Sequence, residues 1–462
     1  MKKVILYFIF FLSIPSNVLG ADTLDLKSFL EVVNLNHPII KKAELFDEIK
    51  AAYDLKGKGV LDPKLYSSYD AKDFKDIDYF TVWQTEAKIP TTLPVDFSIG
   101  YEQNDGLFLN PENSVPSNGL IYGTLNVSLL RGLLFDEQRH QIQQADLDGA
   151  KNQIEKEILI REVMYQAIGA YIEWAKASNQ YAIYDNYYSL VNIRHRNVVQ
   201  LFLNGDKPAI DTIESKLNLN SAQKDRLTSI DYLNKKRLKL NLFIWDNTGN
   251  PLSIKEELYP TRMNDLISIL EEYSILINPN FNNDPYVRKI ENEIAALGLS
   301  NRLEQEQLKP ELNLKYNTIL NLGDNDIDPT FTFNDYKYGI SFIYPILNRK
   351  TKGEIKLNNA LIDQNNYDKI NYKAKLSNSF ENLMARQEIQ TDLIATAQEN
   401  IIMSQLLIEA EQLKFSIGES SIFLLNKRER KLLDSRLDLV KIYSKLGDLL
   451  NELYFLAIGQ QQ

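Results

Sequence analysis

The segment Gly323-Asp324-Asn325-Asp326-Ile327-Asp328-Pro329 sets carboxylates at alternate positions, as a calcium-binding loop does. It lacks the central glycine that lets such a loop turn and the terminal glutamate at the required distance. Lying between two expected strands, it reads instead as a solvated turn. His37 and His140 have no cysteine or histidine partner at ligand spacing, so no zinc site is supported. His195 falls on the apolar seam of a long helix and reads as a packed residue. There is no Gly-rich phosphate loop, no Gly-x-Ser-x-Gly elbow and no paired-histidine helix motif. The chain is therefore not expected to be an enzyme, and no cofactor or metal is expected.

With little chemistry to position, the elements themselves carry the information. Of 462 residues, 44% are hydrophobic and 25% charged, the balance of a folded protein. Lys2 and Lys3, an apolar run from Val4 to Ile14, and Val18-Leu19-Gly20 before Ala21 have the layout of a secretory signal peptide, cut after Gly20. No later run is apolar enough for a transmembrane helix. An exported chain without cysteine must be held by packing rather than by disulfides. Loss of Lys2 and Lys3 leaves 50 basic against 62 acidic residues, a charge of −12 that disfavours nucleic acid.

A helical pattern over 24–56 ends at Gly57-Lys58-Gly59. Strand-like alternation follows at 62–74, 79–89 and 95–103, and then a loop over 104–119. The stretch Gly119–Leu130 alternates strictly: Ile121, Gly123, Leu125, Val127 and Leu129 on one side, Tyr122, Thr124, Asn126 and Ser128 on the other. A helix is then expected from about Asp136 to Leu203. Steps of three and four from Ile160 reach Val163, Ala167, Ala170, Trp174, Ala177, Tyr181, Tyr184, Tyr188, Val191, His195, Val198 and Phe202, a sustained coiled-coil seam. Roughly 68 residues at ~1.5 Å each make a rod of ~100 Å, too long for a globular domain. Phe202-Leu203-Asn204-Gly205-Asp206 with Pro208 reverses the chain, Asp206 being placed to cap a second helix from about Ile210 to Trp245.

The pattern then recurs. Pro285 matches Pro38 and Pro310 matches Pro63; strands at 313–322 and 338–349 mirror the earlier ones; a helix from about Thr351 reaches a Gly418 turn like that at Gly205; a last helix ends near Ile458. The expected organisation is a signal peptide (1–20) and two copies of one unit, 21–261 and 262–462. Long helices that pack on one another leave nothing to cover the apolar side of the strands. Ten- to twelve-residue strands with aromatics near their ends suit an outer-membrane barrel. Barrels have no open edges, and four strands cannot close, so several copies must share one.

Val127-Ser128-Leu129-Leu130-Arg131-Gly132 is similar to the Gln-Pro-Leu-Leu-Arg-Gly strand-to-helix junction of the TolC-like outer-membrane efflux proteins, with Ser128 in place of proline. Tyr344-Pro345-Ile346-Leu347-Asn348-Arg349 keeps the proline. With the Gly205 and Gly418 turns, the chain resembles that family over essentially its whole mature length. The resemblance implies an α+β membrane protein: duplicated helical hairpins forming a periplasmic α-barrel, with four strands per chain in a trimeric twelve-stranded β-barrel. It implies a passive exit duct in the outer membrane of a Gram-negative-type bacterium. Its expected partners are outer-membrane lipid, a periplasmic adaptor, and an inner-membrane efflux transporter or an ABC exporter of type I secretion.

By the same resemblance, Gly205, Asp206, Gly418 and Glu419 mark adaptor-contacting tips, and positions six and nine after each tip glycine line the entrance. These are Asp211 and Glu214 in the first half but Leu424 and Lys427 in the second, so the second acidic ring is missing. Asp211 and Glu214 serve equally as first-turn carboxylates favoured by the helix dipole. The runs at 79–89 and 95–103 depart from the family, either lengthening the hairpin outside the membrane or changing the strand count. A periplasmic coiled-coil structural or adaptor protein is the alternative; it explains the helices and leaves the strands without a solvent.

Overall fold

The computed structural model describes residues 23–274, 281–321 and 334–458. The expected signal peptide (1–20) and the acidic turn at 323–329 lie outside the described residues. Two compact units are present. One gathers the described residues up to 44, 157–284 and those from 374 onward; the other gathers 45–156 and 285–373.

A two-residue strand, β1 (Thr23–Leu24), precedes α1 (Leu26–Asn36), which Asp25 caps by accepting from the Ser28 N–H at 3.0 Å. The single helix expected over 24–56 is two. His37 precedes a proline, which drives it out of the helical region (φ −65°, ψ 130°), and α2 (Pro38–Lys58) starts on the proline itself. Then come β2 (Lys64–Asp73), β3 (Asp78–Ile89), β4 (Val95–Asp105) and β5 (Leu120–Ser128). Helices α3 (Glu137–Leu203) and α4 (Ala209–Asn241) follow close to their expected bounds. The connection after α4 ends in β6 (Tyr259–Pro260), parallel to β1. Next are α5 (Met263–Ser274), α6 (Pro285–Gln307), β7 (Glu311–Asn321), β8 (Tyr336–Ile343), α7 (Arg349–Ser416) and α8 (Ile422–Ile458).

In the sheet-bearing unit, six strands form one antiparallel sheet in the order β2-β3-β4-β5-β7-β8. This sheet holds six strands, where four strands per chain were expected in a shared barrel. The runs at 79–89 and 95–103 are full strands, paired in the same sheet between β2 and β5. The turn joining β2 to β3 has Lys75 and Asp76 at φ 57° and 58°. Two successive left-handed residues make the tight hairpin whose twist matches the strands it joins.

In the helical unit, α1, α5 and α8 pack around the middle of α3. Leu26, Phe29, Val33, Ile168, Tyr171, Trp174, Leu266, Leu270, Leu446 and Leu450 are fully buried. Tyr171 ties the unit's start to its middle, donating to the Leu24 carbonyl at 2.6 Å and accepting from the Thr261 N–H at 3.0 Å. Of the expected seam on α3, Val163, Ala167, Ala170, Trp174, Ala177, Val191 and Val198 are buried. Between them the burial shifts to Tyr187, which packs with Val191, Leu219, Ala222, Leu433 and Leu437 against α4 and α8. Two partner helices cover a broader stripe than one seam does.

Candidate functional site

The sheet has one apolar and one polar side, and strand register carries both across all six strands. One row runs Ile89, Phe97, Leu125, Tyr316, Tyr338, and the next runs Leu65, Ala87, Ile99, Gly123, Thr318, Tyr336. Opposite them lie Ser68, Gln84, Glu86, Lys88, Asp96, Ser98, Glu102, Thr124, Asn126, Asn313, Lys315 and Lys337, with Tyr66, Phe80, Val82, Leu120, Ile319 and Ile343 as apolar exceptions. The burial is the reverse of a water-soluble sheet. On the apolar side Leu65 is 74% exposed and Ile99 54%, while on the polar side Tyr122 is 4%, Thr124 6% and Asn104 8% exposed. Soluble proteins do not leave a contiguous apolar face of this kind bare.

Tyr122 is the brace of the polar side. Its ring lies over Gly100 of β4, where any Cβ would come within 2.3 Å of the ring. Gln84 donates to its hydroxyl at 2.6 Å, and the hydroxyl donates to Glu86 at 3.1 Å. One side chain of β5 thus crosses β4 to bind β3.

The strand-to-helix junction sits at one end of this sheet. Gly132 has φ +84°, a left-handed bend that a side chain would strain. The Leu129 N–H donates to the Leu312 carbonyl and the Arg131 N–H to the Pro310 carbonyl, while Arg131 pairs with Glu311 at 3.4 Å. Ser128, standing where proline was expected, donates through its hydroxyl to Asn313 at 3.2 Å. Arg139, which the sequence pattern did not single out, donates to the carbonyls of Gly132, Leu133 and Leu134 and pairs with Asp136, the cap of α3. In the second junction Pro345 is half-buried, and the left-handed residue is Asn348 (φ 46°), next to the start of α7.

Both tips end in the same motif. The Asp206 N–H donates to the Leu201 carbonyl and the Gly205 N–H to the Phe202 carbonyl, with Gly205 at φ +83°. The Glu419 N–H donates to the Lys414 carbonyl and the Gly418 N–H to the Phe415 carbonyl, with Gly418 at φ +85°. These are Schellman caps, which require a left-handed residue and so favour glycine. Asp206 does not cap α4; the cap position is Pro208, which has no side-chain acceptor. The turns are neighbours, the Lys207 ammonium lying 4.6 Å over the Phe415 ring.

Asp211 and Glu214 occupy the first turns of α4 and are half-buried. Leu424 and Lys427 occupy the matching turns of α8 and are exposed. No ion pair joins these four among the described residues. The charged contacts near the tips fall elsewhere: Arg194 with Glu429, and Glu411 with both Ser420 and Arg428. His195 is half-buried and shares a hydrogen bond with Ser215 at 2.8 Å. Deeper in the helical unit, Arg161 and Asp284, 1% and 2% exposed, pair at 2.9 Å, with the guanidinium 3.9 Å over the Phe455 ring.

Glu173 is held by Lys236 at 2.7 Å, Lys176 at 3.1 Å and the Tyr232 hydroxyl at 3.0 Å. Burial opposes its ionisation, but Lys236 and Lys176 outweigh it and bring its pKa down to about 2. Among the described residues no cluster of histidine and carboxylate side chains could hold a metal ion, and no helix is long and apolar enough to cross a membrane.

No protein-family model and no curated protein matches the sequence. Solved structures do match its fold. The Campylobacter jejuni CmeC outer membrane channel aligns over 94% of this chain and 87% of its own, with a TM-score of 0.62 and 12% identity. The Vibrio cholerae outer membrane protein VceC aligns over 94% and 95%, with a TM-score of 0.62 and 11% identity. The open state of the Neisseria gonorrhoeae MtrE outer membrane channel aligns over 94% and 88%, also with a TM-score of 0.62 and 11% identity. The chain has the fold of these outer-membrane channels, as its resemblance to the TolC-like proteins implies.

Proposed function

We propose that three copies of this chain form a passive exit channel in the outer membrane of a Gram-negative-type bacterium. The carrying observation is the inverted sheet: an exposed apolar face that suits lipid and a polar face that suits an aqueous lumen. The fold shared with outer-membrane channels supports the same reading. So do the apolar residues that α7 leaves exposed, among them Ile370, Ile389, Ile402 and Leu406, which suit packing against neighbouring copies. A coiled-coil adaptor would leave the apolar rows of the sheet in water.

The helical hairpins, one from each of two repeats (21–261 and 262–462), build a tunnel in the periplasm. Its tips at Gly205, Asp206, Gly418 and Glu419 dock to a periplasmic adaptor of an efflux pump or type I exporter. Asp211 and Glu214, in three copies, line the entrance, while Leu424 and Lys427 interrupt any second acidic ring. The matched caps of the two turns support this pairing of tips.

The mature chain, purified in detergent and fused into planar bilayers, tests the proposal. The expected result is an SDS-resistant trimer that changes mobility on heating and conducts ions in discrete steps. A monomer that is freely soluble without detergent and silent in bilayers would refute it. In conducting trimers, Asp211→Ala should weaken block by divalent cations from the periplasmic side; unchanged block removes Asp211 from the entrance.

A further inference from the structure

The sheet differs from the expected four-stranded contribution by one hairpin, β3 and β4, and three observations bear on where that hairpin lies. The first is register. The apolar row from Ile89 through Phe97 and Leu125 to Tyr316 and Tyr338 crosses the added and the expected strands with no offset in face. The second is depth. The turn joining β3 to β4 reaches the strand-to-helix junction, since the Ser128 N–H donates to the Pro94 carbonyl at 2.9 Å. A hairpin confined to the outside of the membrane would lie at the other end of the strands, with the turns at 74–77 and 106–119. The third is bonding: β2 pairs with β3 and not with β5, and Tyr122 of β5 reaches across β4 to Gln84 and Glu86 of β3.

The two bare edges are β2 and β8, ten and eight residues long. Unpaired backbone groups cannot face hydrocarbon, so each edge needs a strand. Every neighbouring pair in the sheet is antiparallel and the strand number is even, so β2 and β8 run in opposite directions. The β8 edge of one copy therefore offers an antiparallel partner to the β2 edge of the next, and head-to-tail pairing closes a ring.

We infer that all six strands of each chain form the membrane wall, and that β8 of one copy pairs with β2 of the next. The surface is the strand edge, its partner is a second copy of this chain, and three copies close an eighteen-stranded barrel rather than the expected twelve. This rests on the trimeric channel proposed above. Because barrel diameter grows roughly linearly with strand number, the outer mouth is roughly one and a half times as wide as a twelve-stranded one. It belongs to the size class that leaves an open aqueous lumen.

The chain has no cysteine, so single spin labels can be placed cleanly. Labels at Phe97→Cys and Leu125→Cys, read in lipid by oxygen and nickel-chelate accessibility, should report equal depth. A water-exposed label at 97 with a lipid-exposed label at 125 would overturn the six-stranded wall and leave the channel standing. Water exposure at both positions would remove the channel itself. Cysteine pairs taking one position from Leu65, Ser67 and Tyr69 and one from Tyr336, Tyr338 and Ile340 should cross-link copies into reducible trimers. Cross-linking that stops at dimers, or that fails in every register of that panel while labels 97 and 125 both lie in lipid, would overturn the edge pairing.

Discussion

Replacing Gly100 by alanine tests whether the added hairpin is built into the wall. A Cβ at Gly100 would stand 2.3 Å from Cζ of Tyr122 and 2.4 Å from its hydroxyl oxygen. Ordinary carbon contacts lie near 3.5–4.0 Å, so the ring must move by more than ~1 Å. Tyr122 is 4% exposed, so the move breaks its hydrogen bonds to Gln84 and Glu86 without water to replace them. Overpacking costs about 1–3 kcal/mol, and loss of the two bonds adds roughly 1–3 kcal/mol. Gly100→Ala should therefore lower stability by about 2–6 kcal/mol. Heat-modified mobility and guanidinium unfolding of the detergent-solubilised protein would report it. The cycle with Tyr122→Ala is decisive. In that background the same substitution should cost nothing or stabilise slightly, because glycine weakens a strand interior. Equal costs in both backgrounds would refute the brace between β3, β4 and β5.

Asp284→Ala should destabilise the helical unit by about 3–5 kcal/mol, because it strips a carboxylate partner from a guanidinium in the core; thermal melts followed at 222 nm would measure it. Glu173 supplies a pH signature. Its folded pKa lies below its unfolded value, so its contribution is present above about pH 4.5 and is lost as pH falls toward 2. Glu173→Gln should lose roughly 1–2 kcal/mol at pH 7, the partial exposure of the pair limiting the effect. The gap to wild type should close on acidification, seen in urea midpoints between pH 7 and pH 3. Gly418→Val forces a branched side chain into the left-handed region at a cost of about 1–2 kcal/mol. Hydrogen exchange should show the last turn of α7 frayed while the sheet stays protected.

The parts of the fold that were legible are those one local rule dictates. Strict alternation in Leu120–Ser128, the glycines at 205 and 418 and the proline-free run of α3 each announced their element. The runs at 79–89 and 95–103 were legible as strands from their alternation; whether they pair into the same sheet was not, because that is set by long-range register with β2 and β5. The break at His37 followed from Pro38 and was available in principle. The Arg161–Asp284 pair joins residues 123 apart in sequence, and nothing in their neighbours marks them. Arg139 holds three carbonyls of the junction from within a charged, Gln-rich stretch where one more arginine attracts no notice. At the tips the glycine spacing located the turns. The ion pairs beside them depend on how α3, α7 and α8 meet, which periodicity alone leaves open.

An incomplete ring with two raw strand edges has a cost before it has a use. Before it reached lipid, a chain of the proposed channel would carry its greasy side bare and its backbone open to the wrong neighbour. Because no copy can seal itself, delivery to the bilayer should depend steeply on how many siblings are nearby. If the proposed ring is how the chain works, scarcity would leave open fragments rather than a smaller number of working pores.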